Sequence, residues 1–172
     1  MARINTKIGD VFSVKLDDRS KKFFQYVAND LTQLNSDVVR AFKKGYALDF
    51  HPDLSEIVND EVSFYAHCFT KFGVKMNLWE KTGNIQDVGD LNSVLFRGSN
   101  DSGCKPGEQV LVSNNWYAWR INYGEFRVVG RLEGENRNAE IGVVVNPYDI
   151  VDRIKTGKYN FFTLFLNKCI FI

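Results

Sequence analysis

Apolar and polar residues alternate along most of this chain with the period of two that marks a β-strand. The clearest stretch is 116–130, WYAWRINYGEFRVVG, where Tyr117, Trp119 and Ile121 share one face and Trp116, Ala118 and Arg120 the other. Asn122, Tyr123 and Gly124 supply turn residues, Gly124 being free to take positive φ, and Phe126 and Val128 resume the alternation on the return. The expectation is a hairpin whose two tryptophans and one phenylalanine anchor a core. Near the front, Phe12, Val14 and Leu16 alternate with Val11, Ser13 and Lys15. After a polar loop over 17–22, with Lys21 and Lys22 in solvent, Phe24, Tyr26 and Ala28 alternate with Phe23, Gln25 and Val27. This predicts a second hairpin. Residues 38–42, VVRAF, fit a helix capped by Ser36 or Asp37 as well as a strand; adjacent valines after a turn favour the strand. Residues 61–72 read as a long strand broken by Gly73, with 74–82 returning from it, and 141–145 reads as a buried strand.

Two stretches carry helix signals. Asp53 can cap a short helix to which Glu56 reaches back, with Leu54, Ile57 and Val58 on its apolar side. The stronger one begins at Asn146, with Pro147 at the first helical position and Asp149 near the positive end of the dipole. Ile150, Val151 and Ile154 give it an apolar side and Gly157 can end it. The resulting fold class is α+β: mostly antiparallel β, a curved or barrel-like sheet with a few short helices, the 147–155 helix packed on it, in one domain over 1–172. Two segments stand apart. Residues 84–110 form a loop-rich excursion whose polarity only Val94, Leu95 and Phe96 interrupt. Residues 160–172 form an apolar tail, too short to span a bilayer and interrupted by Lys168. It would serve as a last strand or, left exposed, as a homodimer contact.

A length of 172 residues with 44% hydrophobic and 25% charged residues closes a core without metal or disulfide staples. A net charge of +1 disfavours a general nucleic-acid binder. Cys68, Cys104 and Cys169 make neither a disulfide framework nor a CxxC clip, and residues 1–12 have no signal-peptide run. The expected compartment is therefore the reducing cytoplasm, with no membrane partner.

Chemical motifs are scarce. Walker, GxGxxG, HExxH and GxSxG patterns are missing from the sequence, and His51 and His67 are its two histidines, so no metal or cofactor site is expected. His67 and Cys68 are neighbours that a strand turns to opposite faces. A nucleophilic pair of Cys104 with His67 has no local mark of an activated thiolate. Glu133 and Glu135 could act as paired carboxylates, yet they sit in a loop of mixed charge and read as solvated. The 98–103 loop is rich in backbone donors that could cradle an anion, but no helix begins behind it.

Several short landmarks do line up with a known family. Ile8-Gly9-Asp10-Val11-Phe12, residues 79–83, residues 116–119 and the segment RIKTGKY at 153–159 resemble the immunity protein 26 family of bacterial polymorphic toxin systems. The resemblance spans most of 8–160 and leaves the apolar tail outside it. It implies a non-enzymatic cytoplasmic protein that neutralises a cognate toxin domain by direct binding, and it brings no catalytic residues. The toxin-facing edge is expected where the mixed-charge loop after the central hairpin meets the 84–110 excursion: Arg131, Glu133, Glu135 and Arg137 with Asn100 and Asp101. The competing reading is a small ligand-binding or hydrolytic β-rich domain that uses the 84–110 loops as its site.

Overall fold

The computed structural model describes residues 4–101 and 113–161. The anticipated front hairpin sets its frame. β1 (Asp10–Lys15) pairs antiparallel with β2 (Ser20–Asp30), and β2 with β3 (Ser36–Phe42), settling residues 38–42 as strand. β4 (Tyr46–Ala47), α1 (Leu54–Val58), β5 (Val62–Cys68), α2 (Thr70–Lys75) and β6 (Glu80–Asn84) follow. Together they make a six-stranded sheet ordered β5-β3-β2-β1-β6, with β4 paired to β2. β7 (Leu95–Ser99), β8 (Trp116–Arg120), β9 (Arg127–Gly130) and β10 (Glu140–Ile141) make a second sheet, β10-β7-β8-β9. α3 (Pro147–Thr156) closes the described chain. The fold is α+β and mainly antiparallel, with its strands divided between two sheets; β10 alone among these strands pairs in parallel, with β7.

Alternation along β1, β2, β3 and β5 buries both faces of the large sheet. On one face Phe12, Val14, Phe24, Val39, Ala41, Phe64 and Cys68 pack beneath Ile150, Val151 and Ile154 of α3. On the other, Val11, Phe23, Phe42 and Tyr46 pack against Ile57 and Val58 of α1. Farther along that second face Val27, Ala28 and Val38 meet Phe96, Trp119 and Ile121, so the second sheet docks there. Between the two apolar clusters lies a polar belt. Arg40 Nε donates to Gln25 Oε1 at 2.9 Å and Arg40 Nη2 to the Asp87 carbonyl at 2.9 Å, while Gln25 Nε2 donates to the Ile85 and Asp87 carbonyls. The segment 85–87 is thus fastened across the sheet by its own backbone oxygens, which satisfies polar groups that would be costly if buried unpaired.

α3 forms as its local signals dictate. Asn146 Oδ1 accepts from the Tyr148 amide at 2.9 Å, Pro147 opens the first turn, and Gly157 ends it with φ 82°. At the other predicted helix, Asp53 stands at the N-cap position but makes no side-chain cap bond, and Glu56 pairs with Lys44.

Other expectations give way to tertiary contacts. The strand expected over 61–72 ends at Cys68, and Gly73 does not break it but lies inside α2, where a Cβ would come 2.0 Å from the Trp79 ring and only glycine fits. β6 does not return beside β5; it pairs with β1 at the opposite edge of the sheet. The expected loop over 17–22 is shorter, since Ser20 to Lys22 belong to β2, and buried Lys21 donates to the Leu48 carbonyl at 2.7 Å. The buried strand expected over 141–145 shrinks to Glu140–Ile141, leaving Val143 and Val144 exposed. Within the 84–110 excursion, 95–99 is an inner strand of the second sheet. Cys104, Cys169 and the homodimer expectation for the tail beyond residue 161 lie outside the described residues.

Candidate functional site

The hairpin singled out by its alternation carries the most conspicuous exposed surface of the second sheet. β8 and β9 pair from Trp116↔Gly130 to Ala118↔Arg127. The strands then part, and 121–126 loops outward, so the outer edge of Trp119 and Arg120 is left open to a cleft of about 620 Å³. Leu95, Tyr123, Phe126 and Arg127 also line it. Around this cleft Tyr123 is 57%, Phe126 53% and Val128 74% exposed, and Leu31 of the adjoining β2–β3 turn is 70% exposed. Phe126 nevertheless has a fixed seat, its ring 4.8 Å from Tyr117 and 5.5 Å from Trp119, both edge-on. Placing Phe126 in the core was thus half right: one face of its ring packs and the other is open. β9 is an edge strand, and alternation alone does not reveal an edge.

A set of hydrogen bonds, exposed at the turn and buried behind it, holds this tip against the large sheet. Asn122, not Gly124, takes the left-handed conformation, with φ 61°. Its Oδ1 accepts from the Leu31 amide at 2.8 Å and its Nδ2 donates to the Asn29 carbonyl at 2.9 Å. Thr32 Oγ1 and Gln33 Nε2 donate to the Tyr123 carbonyl. Behind the tip Asp30 is a hub: its carboxylate accepts from His67 Nε2 at 3.0 Å, Thr32 Oγ1 at 3.2 Å, the Asn122 amide at 3.3 Å and Trp119 Nε1 at 3.4 Å. Burial on its own would raise the Asp30 carboxyl, but the bonds from His67 and Asn122 outweigh it and hold the pKa below the usual range. Burial lowers the His67 pKa against the opposing pull of Asp30. His67 Nδ1 is buried without a partner, which suits a bare lone pair better than an N–H. The pair is therefore a neutral imidazole donating to a carboxylate. His67 has no exposed surface and its ring lies against Phe96 at 4.1 Å, so it cannot meet a substrate in this conformation.

The residues proposed from sequence for a partner divide between the two ends of β8. Asn100 and Asp101 sit beyond the Ser99↔Trp116 pair, where Asp101 accepts from Ser113 Oγ at 2.7 Å and Asn115 Nδ2 at 2.6 Å. Hydrogen bonds from Asn115 and Ser113 hold its carboxyl below the usual range. Arg131 follows Gly130 at this same end and is exposed. Residues 131–133 then run back along the sheet, with Leu132 buried and Glu133 exposed, into a single 3-10 turn, Gly134–Asn138. There Glu135 accepts from Arg127 at 2.7 Å and pairs with Arg120 at 3.5 Å, and Arg137 stays exposed. Glu135 is therefore beside the aromatic tip, with Arg137 exposed two residues on in the same turn, and Asn100 and Asp101 are at the far end of the hairpin. Sequence reasoning missed Leu31, Tyr123 and Val128 as surface, because which strand forms the edge and which turn adjoins it are set by pairing between distant segments. Compared with models of known protein families, with curated protein sequences and with solved structures, the chain matches none of them.

Proposed function

We propose that this protein is an immunity protein that neutralises a cognate bacterial toxin domain by direct binding, with the aromatic tip of the β8–β9 hairpin as the contact surface. The observation that carries the surface is that Tyr123 and Phe126, both more than half exposed, line a cleft with Arg120 and Arg127, and that Leu31 and Val128 are exposed on the segments adjoining it. Aromatic and arginine anchors dominate protein interfaces, each costing roughly 2 kcal/mol or more when truncated at a hot spot. Exposed ion pairs such as Arg127–Glu135 contribute little to stability. The aromatic tip thus supplies affinity, while the stretch Glu133, Glu135 and Arg137 beside it selects the partner through charge, and Arg131, at the far end of the hairpin, stands outside this surface. The Asn122 and Asp30 bonds keep the tip in place before binding, which limits the entropy lost on association. The cognate toxin makes its compartment the cytoplasm in which toxin and immunity protein meet. Asn100 and Asp101 tie the flanks 99–101 and 113–115 together rather than belong to the tip.

The test is co-expression with the toxin encoded beside this gene, read as growth rescue and co-purification. Tyr123→Ser combined with Val128→Asp should abolish capture and leave Tm close to wild type, because neither side chain fills the core. Rescue and co-purification that survive this pair of substitutions undiminished would place the toxin on another surface. Failure of the wild-type protein to capture the toxin at all would remove the immunity reading.

A further inference from the structure

On the side of the second sheet opposite the β9 edge, a smaller cleft of about 230 Å³ lies between β7, β10 and the end of α3. Arg97, Glu140, Arg153, Lys158, Tyr159 and Phe161 line it. Three cations thus line the cleft with one carboxylate, and both oxygens of that carboxylate already accept elsewhere: Glu140 Oε2 from Arg153 Nη2 at 2.9 Å and Oε1 from the Tyr65 amide at 3.1 Å. Arg97 is partly buried, with its guanidinium stacked 5.4 Å from the Trp116 ring centroid, and among the described residues it donates no hydrogen bond. Arg153 is held between aromatic rings, 4.1 Å from Phe64 and 4.6 Å from Tyr159, and its Nη1 is buried without an acceptor among the described residues. Among the described residues the buried Tyr159 hydroxyl, beside Arg153, makes no hydrogen bond of good geometry.

We propose that Arg97, Arg153, Lys158 and Tyr159 form a binding site for a phosphate group. Buried donors lacking acceptors are costly unless something outside the chain satisfies them. Planar guanidinium groups fixed by stacking present forks that match a phosphate oxygen pair. Three cations against Glu140 leave an excess of two positive charges, close to the roughly −1.5 to −2 of phosphate at neutral pH. A single carboxylate would leave a buried cation uncompensated. The C-terminal end of α3 adds only about half a negative charge nearby. Burial lowers the Arg97 pKa, Glu140 opposes that and Arg153 adds to it, so an added dianion relieves strain between the two guanidiniums. Burial pushes the Tyr159 phenol up to about 12, which keeps it a donor. A cleft of about 230 Å³ takes a phosphate with a small substituent and is below the roughly 300 Å³ at which drug-sized pockets begin. This site is independent of the toxin-binding proposal.

Titration calorimetry of the full chain with inorganic phosphate and with phenyl phosphate, in low-salt chloride buffer, tests it. Saturable one-to-one binding is expected, with Kd on the order of 1 mM. Tighter binding of phenyl phosphate would mark the ligand as a phosphomonoester, and tighter binding of inorganic phosphate would mark it as the free ion. Arg97→Gln should weaken binding by about tenfold or more. Lys158→Gln, an exposed substitution that leaves folding intact, should weaken it by a smaller factor. Arg137→Gln removes the same charge elsewhere and should change nothing. If Arg97→Gln does not fold, phosphate-induced amide shifts confined to residues 157–159 in the wild-type chain, reduced in Lys158→Gln, decide the matter. No saturable binding of either probe, or equal weakening in Lys158→Gln and Arg137→Gln, would overturn the site.

Discussion

Trp119 is nearly fully buried, stacks with Tyr117 at 5.8 Å and donates to Asp30, so it anchors the second sheet and is no stacking platform for nucleic acid. Room for its ring comes from Gly142, where a Cβ would lie 1.9 Å from the indole edge. Truncating Trp119 to alanine should cost about 3–5 kcal/mol, the range for a buried aromatic, and chemical denaturation would show it as a lowered midpoint. His67, packed in the same interior, gives stability a pH dependence. Its folded pKa lies below the ordinary 6.5, so below that pH the unfolded chain binds a proton that the folded one refuses. Its contribution is therefore complete above 6.5 and declines as pH falls toward the folded pKa. The limiting slope is about 1.4 kcal/mol per pH unit for one proton. The depressed Asp30 carboxyl loses its contribution in a separate, more acidic window that starts below 3.8. Stability measured across mildly acidic pH should fall in the wild-type protein and stay flatter in His67→Gln. Parallel profiles for the two would show that His67 is not the titrating group.

The elements differ in how openly the sequence declares them. α3 is legible because Asn146, Pro147 and Gly157 are all local signals, within or beside the helix they delimit. β1, β2, β3 and the β8–β9 hairpin are legible from alternation. α2 is not, because its cap lies 33 residues upstream: Asp37 on β3 accepts from the Thr70 amide at 2.8 Å and from Thr70 Oγ1 at 2.6 Å. Thr70 is buried, and its carbonyl accepts from Trp79 Nε1 at 2.9 Å, which binds the helix start to the core. Asp37→Ala should strand two donors and cost about 1–3 kcal/mol for each bond that water cannot replace. A thermal melt unchanged by that substitution would contradict the cap. The candidate surface was legible only in part. Chain adjacency brings Glu135 and Arg137 near the hairpin, but the return of 131–133 along the sheet decides which end they reach, and buried Leu132 is all that marks it.

At the scale of the whole molecule, the large sheet is covered along both faces, whereas the second sheet is held at its β10 edge by Glu140, which accepts from the Tyr65 amide and Arg153, and otherwise by one apolar docking region. Phe96, Trp119 and Ile121 meet Val27, Ala28 and Val38 there, with Asp30 and His67 buried at the centre and a single parallel bridge from His67 to Val144 alongside. The same carboxylate that orders the tip for a partner therefore also holds the two sheets together. Asp30→Asn keeps the side chain's size but removes the charge and replaces one acceptor oxygen by a donor, facing donors from His67, Thr32, Asn122 and Trp119. The expected loss is about 1–3 kcal/mol, and it should fall unevenly because local openings follow the weakest packing. Hydrogen exchange would measure this. In Asp30→Asn, amides of β7 and β8 should exchange through a cheaper opening than those of β2 and β3, which keep α1 and α3 over them. The 121–124 turn should lose protection first, since both its backbone and its Asn122 side chain are tied to residues 29–33. Binding of the partner should then weaken with the loss of tip order even though no contacting residue has changed. Equal acceleration in both sheets would mean that they open as one unit and that Asp30 has no special part in joining them.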